Sequence, residues 1–165
     1  MGDGAAGPSL KARAVAVLAR REHTALELRR KLRRFSDSEA EIDEVIGALR
    51  AAGYLSDQRF AQARTQARSG KYGTSRILAE LRSLGVPDDV RDAQAAGLAA
   101  SELSRAKSVV EKRIGAKDPS TLQFQREMRF LLARGFPASI AIDALRSLGV
   151  RPGAGSSHGE TEASR

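Results

Sequence analysis

Three times along this chain, two helix-period segments are followed by a third that stops at or near a small residue, at Gly53, near Ala100 and at Gly149. From Gly53 to Ala100 is 47 residues, and from Ala100 to Gly149 is 49. A unit of that length cannot bury its apolar face alone, so such units stack on their neighbours into a quasi-linear array. The pattern predicts an all-α fold, an elongated curved array of three tandem three-helix repeats with about nine helices. The repeats fall at 9–53, 54–100 and 101–150, and the apolar-poor ends 1–8 and 151–165 are expected to be disordered tails. Aromatic residues make up 4% of the chain and Trp is absent, so the core must be Leu, Ile, Val and Ala, which suits packed helices better than sheets.

Local signals place the helices. Ser9 caps a helix carrying Leu10, Ala14, Val17 and Leu18. Leu28, Leu32 and Phe35 share the face of the next at i, i+4 and i+7. Ser38 to Glu41 reads as a capping box before Ile42, Val45, Ile46 and Leu49. Ser56 caps a helix whose apolar stripe is Phe60, Ala63 and Ala67, and Gly70 and Gly73 bracket the break after it. Ile77, Leu81 and Leu84, with Leu78 beside them, form the following face; Gly85 stops it and Pro87 opens the next helix. That helix is poorly amphipathic, anchored by Val90, Ala93 and Leu98, and Gly97 marks Ala95 to Ser101 as a hinge or break. Leu103, Ala106, Val110 and Ile114 run to a stop at Gly115. A helix opened at Pro119 carries Leu122, Met128, Leu131 and Leu132. The last, opened at Pro137, carries Ile140, Ala144, Leu145 and Leu148. The hexapeptide LRSLGV occurs at 81–86 and 145–150. Its copies lie on different helices of their units and are similar helix endings, not the repeat itself.

A net charge of +8 points to a polyanion or an acidic protein surface. Its arrangement strengthens that reading against evenly solvated charge. From Lys11 to Arg34 nine basic residues face two acidic ones, Glu22 and Glu27; from Arg59 to Arg82 six face Glu80 alone. Five cations between Arg29 and Arg34 repel one another, so helix stability gives no reason to collect them, whereas an anionic partner does. The candidate partner- or DNA-binding residues are Arg29, Arg30, Arg33 and Arg34, and Arg64, Arg68, Lys71 and Arg76. Arg64, Arg68 and Arg76 flank the apolar stripes, Lys71 lies between the two helices, and all eight would make charge-assisted contacts with carboxylates or phosphates. Tyr54 and Phe60 are expected to pack the repeat junction.

Catalytic and metal chemistry finds no footing. Cys is absent and only two His occur, one in the C-terminal tail. No HExxH or zinc-ligand spacing appears, and Gly70-Lys71-Tyr72 lacks the glycines and hydroxyl of a phosphate loop. His23 reads as a helix-boundary residue. The acids Asp37, Glu39, Glu41, Asp43 and Glu44 complement a helix dipole and lack calcium-loop spacing. The expectation is a non-enzyme with no catalytic residue, cofactor or metal. No apolar run approaches the roughly 20 residues that span a bilayer, and the N-terminus is unlike a signal peptide, so a cytoplasmic monomer is expected.

Tyr54-Leu55, the DQRFA segment Asp57 to Ala61 and the GxxGxxRIxxEL run Gly70 to Leu81 resemble the signature of the RecX family, small bacterial modulators of the RecA recombinase. The likeness extends more weakly from Leu10 to Gly149. It implies a protein without activity of its own. Such a protein binds RecA and lies along the groove of the RecA–DNA filament, limits filament extension, and reduces ATP hydrolysis and strand exchange. Direct DNA binding would be weak and indifferent to sequence. Ser56 stands where the family often has an acid, and the Gly97 helix is weaker than usual. The alternative is a basic helix-turn-helix DNA binder over Asp57 to Leu84. Against it, the second helix offers no Asn or Gln for base edges, and no dimerisation element is evident.

Overall fold

Polar caps and glycine stops cut the chain into short helices. The computed structural model describes residues 7–114 and 121–152, and nine helices and no strand lie among them. They are α1 (Leu10–Leu18), α2 (Ala25–Leu32), α3 (Glu39–Ala51), α4 (Asp57–Ser69), α5 (Thr74–Ser83), α6 (Asp88–Ala100), α7 (Glu102–Ile114), α8 (Thr121–Ala133) and α9 (Ala138–Ser147). The side-chain oxygens of Ser9, Thr24, Ser38 and Ser56 accept from the amides of Ala12, Glu27, Glu41 and Arg59 at 3.1–3.2 Å. Four helices close on a glycine in the left-handed region, Gly53, Gly85, Gly135 and Gly149. The next residue then donates back to a leucine carbonyl one turn inside the helix, as from Val86 to Leu81 and Phe136 to Leu131. Leu81, Val86, Leu131 and Phe136 are all buried, so each stop is also a packing contact.

Buried apolar residues gather in three clusters, one per helix triplet. Leu28, Leu32, Ile42, Ile46 and Leu49 centre the first, Phe60, Ile77, Leu81, Val86 and Leu98 the second, and Val110, Leu131, Phe136 and Leu145 the third. Ala14, Ala61 and Ala106, each the fifth residue of its triplet's first helix, are fully buried. A methyl there allows close helix approach. At the fourth residue of α3, α6 and α9 stand Ile42, Arg91 and Ala141. Arg91 buries its stem and donates to Val86 O at 3.0 Å, which is why α6 looks poorly amphipathic in sequence.

Several sequence expectations need correction. Phe35 lies past the end of α2, is exposed, and is covered by Arg13 at 4.6 Å. The reciprocal capping box is at Thr24–Glu27; Glu41 instead accepts from the Ser36 hydroxyl at 2.6 Å. Ala63 and Ala67 are exposed, because α4 is rotated to turn Ala61, Arg64, Thr65 and Arg68 inward. Arg64 and Arg68 therefore belong to the inner face of α4 and do not merely flank it. Ala93 is exposed too, and the half-buried positions beside it are Gln94 and Ala95. The break expected within Ala95 to Ser101 falls at its far end and not at Gly97: α6 is continuous to Ala100, held by buried Leu98, and Ser101 alone separates it from α7. Leu103 and Leu132 are exposed, as is Tyr54, whose junction role passes to buried Leu55. Pro87 and Pro137 are N-caps and not first-turn residues. Residues 1–6 and 153–165 of the expected tails, the stop at Gly115 and the start at Pro119 lie outside the described residues.

The triplets meet through a joint that is used twice. A carboxylate on the first residue of one triplet receives the first amide of the previous triplet's second helix: Ala25 N to Asp57 Oδ1 at 3.0 Å, and Thr74 N to Glu102 Oε1 at 2.8 Å. The end of the later second helix then abuts the start of the earlier one. The Thr24 hydroxyl donates to Leu84 O at 2.7 Å, and Gly73 N donates to Arg134 O at 2.9 Å. A negative helix end thus faces a positive one. Among the described residues no hydrogen bond or ion pair joins the first triplet to the third.

Gly73 sits in this joint with no room for a side chain: a Cβ there would lie 2.1 Å from Gly135 O. Gly73→Ala should cost about 1–3 kcal/mol through overpacking against main chain. Gly97→Ala, which meets nothing within 4 Å inside α6, should gain about 0.5–1 kcal/mol. Thermal melting of the two variants checks both signs.

Candidate functional site

Most of the arginines singled out in the sequence have carboxylates within their own chain. Arg29 Nη1 donates to Glu39 Oε2 at 3.1 Å and its Nη2 pairs with Asp43; Arg33 Nε donates to Glu39 Oε1 at 2.5 Å. The anionic partner inferred for this run is thus met in part by the first turns of α3. Hydrogen bonds from Arg33 and Arg29 hold the Glu39 carboxyl below its usual range. Arg30 and Arg34 are exposed and have no carboxylate partner among the described residues.

The second set converges on the α4–α5 hairpin. Glu80, half-buried on α5, accepts from Arg64 Nε at 2.6 Å and from Arg68 Nη2 at 3.0 Å. Burial opposes its ionisation, but hydrogen bonds from Arg68 and Arg64 outweigh it and hold the carboxyl below the usual range. Arg76 donates to Ala133 O at 2.9 Å and stacks on the Tyr72 ring at 4.7 Å. Lys71 is exposed in the turn, its side chain without a partner among the described residues. No hydrogen bond among the described residues joins this set to Arg29 and Arg30 of α2 or to Arg33 and Arg34 just past its end.

Reading from sequence missed the residues that face this hairpin from the third triplet. Arg105 reaches across from α7 and donates to Tyr72 O at 2.7 Å, Thr74 Oγ1 at 3.0 Å and Leu98 O at 2.9 Å. Burial draws its pKa below the ordinary arginine value. Arg134, at the end of α8, donates to Lys71 O at 2.9 Å and lies over the Phe130 and Tyr72 rings at 4.4 and 5.6 Å. Arg113 stacks on Phe130 at 3.9 Å and donates to fully buried Glu127 at 2.9 Å. The repeat itself held the signal. Arg113 is the twelfth residue of α7 as Arg68 is of α4, and Glu127 is the seventh of α8 as Glu80 is of α5. Lys31 holds the same seventh place in α2, so the first triplet lacks this ion pair.

Metal and membrane chemistry add nothing. Among the described residues no group of His, Asp and Glu is placed to hold a metal, and no helix is long and apolar enough to cross a membrane. His23 is buried, with Nδ1 2.9 Å from Arg21 O, and burial lowers its pKa.

Known proteins resemble this arrangement closely. The family model for the second three-helix domain of RecX matches residues 56–93. The regulatory protein RecX of Ralstonia nicotianae is 39% identical over 132 residues, 80% of this chain and 83% of its own. That of Herminiimonas arsenicoxydans is 38% identical over 140 residues, 84% and 92% of the two chains. In fold, the crystal structure of RecX from Lactobacillus salivarius superposes with a TM-score of 0.76 at 20% identity. It covers 86% of this chain and 96% of that one.

Because the folded pKa of Glu80 is depressed, its ion pairs stabilise fully above the ordinary carboxylate range, and that stability is lost as pH falls through the lower folded value. At neutral pH Glu80→Gln should cost about 1 kcal/mol, a modest figure because both arginines are more than a third exposed and screened. The melting difference from the parent chain should close as the pH is lowered below the ordinary carboxylate range and through the depressed folded value. A difference that persists unchanged in acid would show that packing, and not charge, sets the cost.

Proposed function

This chain belongs to the RecX family of regulatory proteins, and we propose that it is a non-enzymatic regulator that binds RecA and the RecA–DNA filament and inhibits the recombinase. The inhibited steps are filament extension, ATP hydrolysis and strand exchange. The observation that carries the reading is kinship over four-fifths of the chain with proteins named for regulation. The physical arrangement agrees with it. Three small cores strung through polar joints give a rod that can follow several protomers of a helical filament. Its direct DNA binding is weak and sequence-independent, and it acts as a cytoplasmic monomer.

The ion pairs sort the eight candidate cations. Arg29, Arg33, Arg64 and Arg68 hold helices together and act on a partner through whatever donor capacity remains. Arg30, Arg34 and Lys71 carry charge that nothing in the described chain neutralises, and these make the outward contacts. Arg76 is shared between the joint and the surface. A sequence-reading helix-turn-helix fits less well. The first turn of such a recognition helix must enter a groove, whereas the first turn of α5 abuts Gly135 and Ala133.

The test is a RecA ATPase and strand-exchange assay with the purified chain added substoichiometrically. Changing Arg30, Arg34 and Lys71 together to Ala should weaken inhibition about ten-fold or more, at roughly 0.5–1 kcal/mol for each exposed contact, with melting unchanged. Leu81→Ala should instead lose about 2–5 kcal/mol of stability through a cavity. A triple variant that inhibits at full potency would reduce these cations to solvated surface.

A further inference from the structure

Between the second and third triplets lies a cleft whose chemistry the α2 surface lacks. It is a cavity of about 440 Å³, walled by the α4–α5 turn and the ends of α7 and α8. Four cations line it, Lys71, Lys112, Arg113 and Arg134, together with the rings of Tyr72 and Phe130. No carboxylate is in the lining; Glu127, fully buried, answers Arg113 from α8. Lys71 and Lys112 are exposed and have no ion pair among the described residues. Like charges converging on one concave wall repel, and the chain provides too few anions of its own to relieve them.

The rings make the cations directional. Phe130 stacks Arg113 and Arg134, which covers one face of each guanidinium, and beyond the bonds from Arg113 Nε to Glu127 and from Arg134 Nη1 to Lys71 O their remaining N–H groups stay available. Donors held in that way suit the paired oxygens of a phosphodiester. The cavity also continues. A second one, of about 270 Å³, shares Gly70 and Lys112 and is walled by Ser69, Ser104 and Ser108. Gly70 meets nothing within 4 Å of its Cβ direction, which leaves the passage between the two open. The result is a track for a linear polyanion.

We propose that this track binds single-stranded nucleic acid. Lys71, Lys112 and the remaining N–H groups of Arg113 and Arg134 take successive phosphates, and a base lies against the Tyr72 side. The proposal rests on the DNA-contacting part of the reading above and gives it a place and a strand state. A cavity of this size admits a nucleotide unit but not a double helix. An acidic protein segment would neutralise the same cations but would make no use of the Tyr72 ring or of the second face of each guanidinium, which a base can stack on.

The experiment omits the recombinase. Fluorescence anisotropy with a short labelled oligothymidylate should show binding that weakens with salt. Lys71→Glu/Lys112→Glu should lose about ten-fold or more, and its salt slope should fall by about 1.4, at about 0.7 per phosphate contact. Arg82→Glu/Arg146→Glu, an equal charge change at exposed sites outside the cleft, should keep most of the affinity. In the parent chain, backbone amide NMR shifts on titration should centre on residues 70–73, 109–113 and 134, a readout that no variant's folding can confuse. Equal loss in both double variants, equal or tighter binding of the matching duplex, displacement by oligoglutamate at similar concentration, or shifts centred on α2 would each overturn the proposal. A chain that binds the strand in this cleft but leaves RecA untouched would sink the regulatory reading alone. Inhibition of RecA with no strand in the cleft would sink this one alone.

Discussion

The architecture depends on a carboxylate accepting the first amide of a helix in the preceding triplet. Asp57 does this for α2 and Glu102 for α5, and both are buried. A helix start has amides with no partner inside the helix, and leaving one buried and unmet costs about 1–3 kcal/mol. Because the acid opens the next triplet, meeting that need also fixes where the next triplet sits. Arg50 completes the first joint by donating to Asp57 Oδ2 at 2.6 Å, and Arg105 completes the second from the other side. Glycines do the rest, since Gly85 and Gly135 let the end of one second helix come against the start of the preceding triplet's second helix where a side chain would collide.

The same economy of carboxylates governs the basic surface. A chain with 28 Lys and Arg against 20 Asp and Glu must leave some cations unmatched, and the fold chooses which. Glu39, Asp43 and Glu80 are placed to neutralise arginines that brace neighbouring helices. Of the remainder, Arg30 and Arg34 gather at α2 and Lys71 and Lys112 at the cleft between the second and third triplets, while others such as Arg82 and Arg146 stand apart on the surface. Cations that hold the molecule together and cations that face outward are thus neighbours on the same helices, one or two positions apart.

Much of this was legible in the residues. Serine caps, glycine stops and apolar spacing located the helices, because those signals act within one turn of chain. The rotation of α4 was not legible: Ala63 and Ala67 fit an apolar period, but alanine is equally content in water, and the ion pairs to Glu80 turned Arg64 and Arg68 inward instead. The break expected in Ala95 to Ser101 came at Ser101 and not at Gly97, for a related reason. Glycine lowers helix propensity by about 1 kcal/mol, less than burying Leu98 returns. The cleft could not be seen at all from local pattern, since its two walls are some forty to sixty residues apart in the chain. Only the internal equivalence of Arg68 with Arg113 and Glu80 with Glu127 pointed toward it.

Three small cores joined by a few polar contacts also imply a particular way of yielding. Each cluster is centred within its own triplet, whereas the joints are made of main-chain amides, two acids, glycines and bracing arginines such as Arg50, Arg105 and Arg134. Strain between triplets would therefore fall first on the joints, at Ser101 and at the Gly73–Gly135 contact, and only then on the cores. Such a molecule behaves as a chain of stiff links, able to change pitch to match a winding surface while every link keeps its shape.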